Sequence, residues 1–292
     1  MKDRTLSLGF SPCPNDCFIF DAMLHEKVDT EGLKFKSVIE DVEALNKRTI
    51  NSSLSLPFGK GALSPSERVR GAMQLDITKL SFFAFAQVQK KYSLLDSGSA
   101  LGFGVGPLVI KKLGYGIKDL NSSKFKIAIP GRHTTANFLF SLAFPKATNK
   151  VELLFSEIEK AVLDGKTDAG VIIHENRFTY RQKGLKKIID LGAWWKKKTK
   201  LPIPLGGIAI KKTFQKEIQR KVERVIRKSV EYAFANPESS KAFIKKHSQE
   251  MDDDVIKQHI NLYVNKYSLS LGIKGRKAVN LLLQHTTRIN SK

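Results

Sequence analysis

Apolar positions along this chain form short runs in two alternating periods. Residues 6–10 and 33–40 follow the two-residue rhythm of strands, and each leads into a helical stretch, 16–26 and 42–48. Asn15 or Asp16 is the expected cap of the first helix. Residues 75–80, 92–95 and 107–111 read as further strands, with a helix over 81–88. This βαβα order predicts a parallel sheet. A second unit begins with a strand at 125–130 and a helix opening near Thr134. It continues with a strand at 151–154 and a helix capped by Ser156, where Glu159 would close a capping box. Strands at 170–173 and 187–191 follow, and residues 201–210 read as a strand crossing back to the first unit. The rest is helical: 214–235, a helix opened by Asn236 and Pro237, then 252–267 and 274–285.

Residues 49–74, rich in Ser, Gly and Pro, break this rhythm. Long connections without periodicity are uncommon inside compact domains, so a surface insertion is expected, with a short helix over 67–73. The pattern predicts an α/β protein of two lobes joined by two crossing segments. Residues 1–108 and 206–292 would form the larger lobe and 109–205 the smaller. Such a two-lobed, periplasmic-binding-protein-like (Venus-flytrap) arrangement places its ligand in the cleft between lobes.

Composition narrows the function classes. The 292 residues are 41% hydrophobic, enough for a proper core, yet no apolar run is long enough to span a membrane. The N-terminal residues lack the apolar core of a signal peptide, which predicts a cytoplasmic protein. Cys13 and Cys17 are the only cysteines and read as buried free thiols; with no His nearby in sequence they make a poor zinc site, and no metal is expected. Fifty Lys and Arg against 28 Asp and Glu give a net charge of +22. The basic residues alternate with apolar ones at helical spacing, as in Arg220, Lys221, Arg224, Arg227 and Lys228 beside Val222, Val225 and Ile226. That is a solvated helix face rather than a nucleic-acid-binding arm, with steering of anionic substrates as a secondary effect.

Candidate chemistry centres on VIIHENRFTY, residues 171–180, where His174 stands at the end of an apolar strand. Ligands of open α/β folds bind beyond such strand ends, and histidine can act there as a base near neutral pH. Four strand-to-helix junctions are expected to face one cleft: SPCPND (11–16), TKLS (78–81), GRHTTAN (131–137) and HENRF (174–178). Thr134 and Thr135 sit where a helix N-terminus can hold a carboxylate, and Lys79 would add a solvated positive charge. Both Ser81 and Thr134 are equally well explained as plain N-caps. HENRF lacks the second histidine of a zincin, GFGVGP lacks the third glycine of a dinucleotide fingerprint, and no phosphate loop or nucleophile elbow is present. His133 lies beside the threonine pair, whereas His25, His247, His259 and His285 fall in charged helical contexts and are expected on the surface.

Long blocks of the chain are similar to the 1,4-dihydroxy-6-naphthoate synthases of the futalosine route to menaquinone. They include LGFSPCPND (8–16), EDVEALN (40–46), TKLSFFAFAQV (78–88), GSALGFGVGPLVI (98–110), IPGRHTTANFLFSL (129–142), IIHENRFTY (172–180), LGAWWKKKTKLPIPLGGIAI (191–210) and YVNKYSLSLG (263–272). Two departures stand out: Cys17 replaces the usual Thr, and 49–74 carries an insertion. The resemblance implies a binding-protein-like fold used as an enzyme, converting cyclic dehypoxanthinyl futalosine to 1,4-dihydroxy-6-naphthoate without a metal or organic cofactor. It also implies His174 as the proton-abstracting base, with Lys79, Leu80 and Ser81 forming one substrate-contacting segment and Thr135 and Ala136 a second. The partner so implied is a small carboxylated molecule.

Overall fold

The computed structural model describes residues 4–51, 74–112, 120–249 and 252–290. The helix expected over 67–73 and nearly all of the 49–74 insertion lie outside them. In chain order, the first part comprises β1 (Arg4–Phe10), α1 (Pro14–Leu24), β2 (Leu33–Ile39), α2 (Val42–Asn51), β3 (Ile77–Ser81), α3 (Phe82–Val88), β4 (Tyr92–Leu94) and β5 (Ala100–Gly102). Next come β6 (Leu108–Lys111), β7 (Ile127–Ile129), α4 (Thr135–Ala143), β8 (Lys150–Glu152), α5 (Ile158–Leu163), β9 (Ala169–Ile172), α6 (Asn176–Thr179), β10 (Lys186–Asp190) and α7 (Leu191–Thr199). The chain returns through β11 (Ile203–Lys211) and ends in α8 (Lys216–Ala235), α9 (Lys241–His247), α10 (Asp253–Tyr263), α11 (Lys266–Leu269) and α12 (Gly272–Asn290).

The strands of the described residues form two sheets. The first has the order β2-β1-β3-β11-β4, with β5 also pairing with β11; the second is β10-β6-β9-β7-β8. The expectation of parallel sheets holds for β2-β1-β3 and for β9-β7-β8. It fails where the chain changes sheet. β11 runs antiparallel to β3, β4 and β5, and β6 antiparallel to β9 and β10. No helix intervenes between β5 and β6, so β6 does not enter the second sheet by a right-handed βαβ crossover, the connection that makes neighbours parallel. β11 returns to the first sheet as expected. At the crossing, Gly106 passes backbone to backbone against Gly192, where an added Cβ would lie 2.1 Å from the Gly192 nitrogen.

Amphipathic helices close the first core. On α8, Val222, Val225, Ile226 and Val230 are fully buried while Arg220, Arg224 and Arg227 stay exposed, as the periodicity requires. Helix starts depart more from expectation. α1 is capped by Cys13 with Pro14 at the first helical position, where proline's fixed φ and missing N–H cost nothing. Asn15 and Asp16 are therefore not caps, and their side chains turn elsewhere. Ser156 does not cap α5, which opens as a 3-10 turn, while Glu159 pairs with Lys183 instead. Asn236 ends α8, its side chain bonding back to the Tyr232 carbonyl, and it also precedes Pro237 at the expected helix start, where a 3-10 turn runs straight into α9 although Asn236 makes no side-chain cap bond there. The helix expected over 252–267 breaks at Val264, because Asn265 starts α11 with its own capping box.

Candidate active site

All four polar junctions open onto one cavity. Ser11, Asn15 and Asp16 follow β1; Lys79, Leu80 and Ser81 end β3. From the second sheet come Thr134, Thr135 and Ala136 after β7, and Ile173 and His174 after β9. Leu205 and Gly206 of β11 and Tyr263 of α10 complete the wall these residues share. Every site residue anticipated from sequence thus lines the same space. His133 does not line it; its backbone instead joins the two halves.

His174 has a left-handed backbone, φ 57°, rare for a residue with a side chain and commonest at functional sites. Its ring meets Phe155 edge-on at 4.8 Å between centroids and stacks toward His259 at 6.1 Å. Nδ1 lies 3.4 Å from Cys13 Sγ. The two thiols are buried and free, as expected, but Cys13 does have a histidine neighbour, one 161 residues away that spacing alone could not supply. Burial, then the Glu175 carboxylate, pushes the Cys13 thiol well above its usual pKa, so it is protonated at neutral pH.

Lys79 is not the solvated point charge that the sequence suggested. It is 4% exposed; its Nζ lies 2.9 Å from Asp16 Oδ1 and donates to the Gly98 carbonyl at 3.0 Å. Asp16 also accepts bonds from Ser11 N and Oγ and from Asn15 Nδ2. The lysine charge is thereby neutralised beside the cavity. The threonine hydroxyls are occupied too. Thr134 donates to Gly131 O and accepts the Asn137 N–H as a true N-cap, while Thr135 donates to Leu205 O at 2.8 Å. What α4 still offers is its first two backbone amides, Thr135 and Ala136, which have no intrahelical acceptor.

His259 is the residue the sequence reading misplaced. It is fully buried, with Nε2 2.8 Å from Asn15 Oδ1. Burial, then the charges of His174 and Arg177, pushes its pKa well below the usual value. A signal was present: Ile256, His259, Ile260 and Tyr263 follow an i, i+3, i+4, i+7 stripe on α10. Glu175, 93% buried beneath His174, carried no such signal.

The two halves touch through a set of direct bonds. Ser81 Oγ donates to His133 O at 2.5 Å, and Asn46 Nδ2 also reaches that carbonyl. The His133 N–H donates to the Glu43 carboxylate at 3.1 Å. Gly131, at φ 142°, lies so close that an added Cβ would sit 2.4 Å from Glu43 Cδ. Lys47 and Glu152 add an ion pair of 2.7 Å. Burial raises the Glu43 carboxyl to about 7, against its bonds from His133 and Asn46.

The chain is 42% identical to a Thermus thermophilus protein named 1,4-dihydroxy-6-naphtoate synthase, over 94% of this chain and 92% of that one. A Streptomyces coelicolor protein of the same name is 35% identical, covering 97% and 93%. A crystal structure from Archaeoglobus fulgidus superposes with a TM-score of 0.84 at 33% identity over 98% of both chains. The periplasmic aliphatic sulphonate binding protein of Escherichia coli superposes at 0.64 with 12% identity, covering 98% of this chain and 86% of that one, a likeness of fold alone. The model of the family described as "Menaquinone biosynthesis" matches residues 6–56 and 69–288, and the chain belongs to that family.

Proposed function

We propose that this chain is a 1,4-dihydroxy-6-naphthoate synthase, a cytoplasmic carbon–carbon lyase acting on cyclic dehypoxanthinyl futalosine. His174 is its general base, and no metal or organic cofactor takes part. The observation that carries the reading is the convergence of His174 with Lys79–Ser81 and Thr134–Ala136 on one cavity between the sheets. Residues 1–108 with 206–292 form one lobe in this reading and 109–205 the other. The substrate is a carboxylated ring system still bearing a sugar-derived fragment. Proton removal by His174 starts ring opening and carbon–carbon cleavage, and aromatisation of the naphthalene drives it forward. The amides of Thr135 and Ala136 hold the carboxylate, and the apolar wall of Leu80, Val105 and Ile173 keeps water out.

Incubating the purified protein with the cyclic futalosine derivative in chelator-treated buffer tests the reading. Naphthoate formation is the expected result. Its absence from a folded preparation overturns the enzyme and leaves a binding protein for a small carboxylate.

A further inference from the structure

Beneath His174 lies a group of side chains that base catalysis does not account for. Cys13 Sγ, His174 Nδ1 or Nε2, and a carboxylate oxygen of Glu175 each fall within 4.8 Å of the other two. Cys13 is 4% exposed and Glu175 7% exposed, so the group is almost closed to bulk water and reaches the cavity through the His174 ring. Thiolate, imidazole and carboxylate form a donor set suited to zinc. Cys13 Sγ lies 3.4 Å from His174 Nδ1 and 3.9 Å from Nε2, so the sulfur stands beside the imidazole within reach of either nitrogen.

A second, independent observation points the same way. Asn15 gives its Nδ2 to Asp16 Oδ1 at 2.8 Å, which turns Asn15 Oδ1 toward His259 Nε2. That nitrogen must carry the proton of a neutral ring, so His259 Nδ1 is a bare lone pair. It faces Glu175 Oε2 at 3.8 Å. Both atoms are buried and neither has a hydrogen-bond partner among the described residues. Two acceptors directed at one another are costly in a buried place, and a cation bound by Glu175 offsets the carboxylate charge that faces the His259 lone pair.

We propose that Cys13, His174 and Glu175 form an inhibitory site for a thiophilic divalent cation of the zinc class. The cation bonds the Cys13 sulfur, one His174 ring nitrogen and a Glu175 oxygen, keeping its fourth position for water or a substrate oxygen. The Cys13 thiol proton is released to solvent, no oxidation state changes, and the dication is balanced by thiolate and carboxylate. Its binding takes up a ring nitrogen of His174 and stops proton abstraction reversibly. The inhibition rests on the function proposed above, whereas the binding does not.

Cobalt(II) titration of the chelator-stripped full chain, without substrate, reads the site directly. Expected are a thiolate-to-cobalt charge-transfer band, an endpoint at one equivalent, and loss of the band when zinc is added. The chain has only two cysteines, so the sulfur is assigned by substitution. Cys13→Ser abolishes the band, whereas Cys17→Ser keeps it, since Cys17 Sγ lies on the Pro12 carbonyl. Glu175→Gln, a gentler change, weakens cobalt binding at least tenfold. No charge-transfer band in the wild type, or a band that survives Cys13→Ser, overturns the site. In turnover assays zinc inhibits and chelator restores activity, and Glu175→Gln needs at least tenfold more zinc for the same inhibition. Activation by zinc, or equal zinc sensitivity in that variant, contradicts the inhibitory role. A chain that shows the band but no turnover with the futalosine derivative keeps the metal site and loses only the catalytic reading.

Discussion

The side chains of the cavity serve the fold as much as any ligand, and Lys79 shows it best. Lys79→Met removes one half of a buried ion pair and leaves Asp16 without its cation. A buried charge stripped of its partner costs about 3–5 kcal/mol, so the variant is expected to melt well below the wild type. An unchanged denaturant midpoint would mean that the Ser11 and Asn15 bonds alone satisfy Asp16. His174 and the Thr134–Ala136 turn were legible in sequence because a polar residue ending an apolar strand, or opening a helix, marks its own position. The burial of Lys79 was not, because it depends on Asp16, 63 positions earlier, folding against it. Nor was the contact of Cys13 with His174, which needs both sheets in place.

Strands and long helices were read well, since their periodicity is local. Helix starts were read less well because competing uses of the same side chain decide them. Asn15 and Asp16 looked like caps but are taken by His259, Ser11 and Lys79, leaving Pro14 to begin α1. β5, α6 and α7 went unread; β5 has three residues and α6 four, too few to show a period. α7 is held by its Asp190 cap and the buried Trp195 within a lysine-rich stretch. The family model passes over residues 57–68, within the segment read as an insertion. Replacing 57–68 with a short Gly-Ser linker is therefore expected to leave the melting temperature nearly unchanged, because the long insertions families tolerate lie outside the core. A drop of many degrees would show that this stretch packs.

At the scale of the molecule, the two halves meet at His133, and Glu43 makes that junction sensitive to pH. A carboxyl raised to about 7 in the folded state, from 4.5, binds its proton more readily when folded. Its contribution is complete below about 4.5 and is lost as pH rises through about 7. Glu43→Gln has no such loss, so its melting temperature relative to wild type should climb between pH 5 and pH 8. Parallel profiles would place the titration elsewhere. The two-sheet architecture was legible in the alternation of strand and helix; the reversed directions of β6 and β11 were not, because strand polarity leaves no mark on hydrophobic period. The account as a whole stands on His174, and His174→Asn tests it most directly, since asparagine tolerates the left-handed backbone at this position. Turnover of the cyclic futalosine derivative should fall about a hundredfold or more, while calorimetry shows naphthoate binding retained. A folded His174→Asn variant with near-normal turnover would contradict the account.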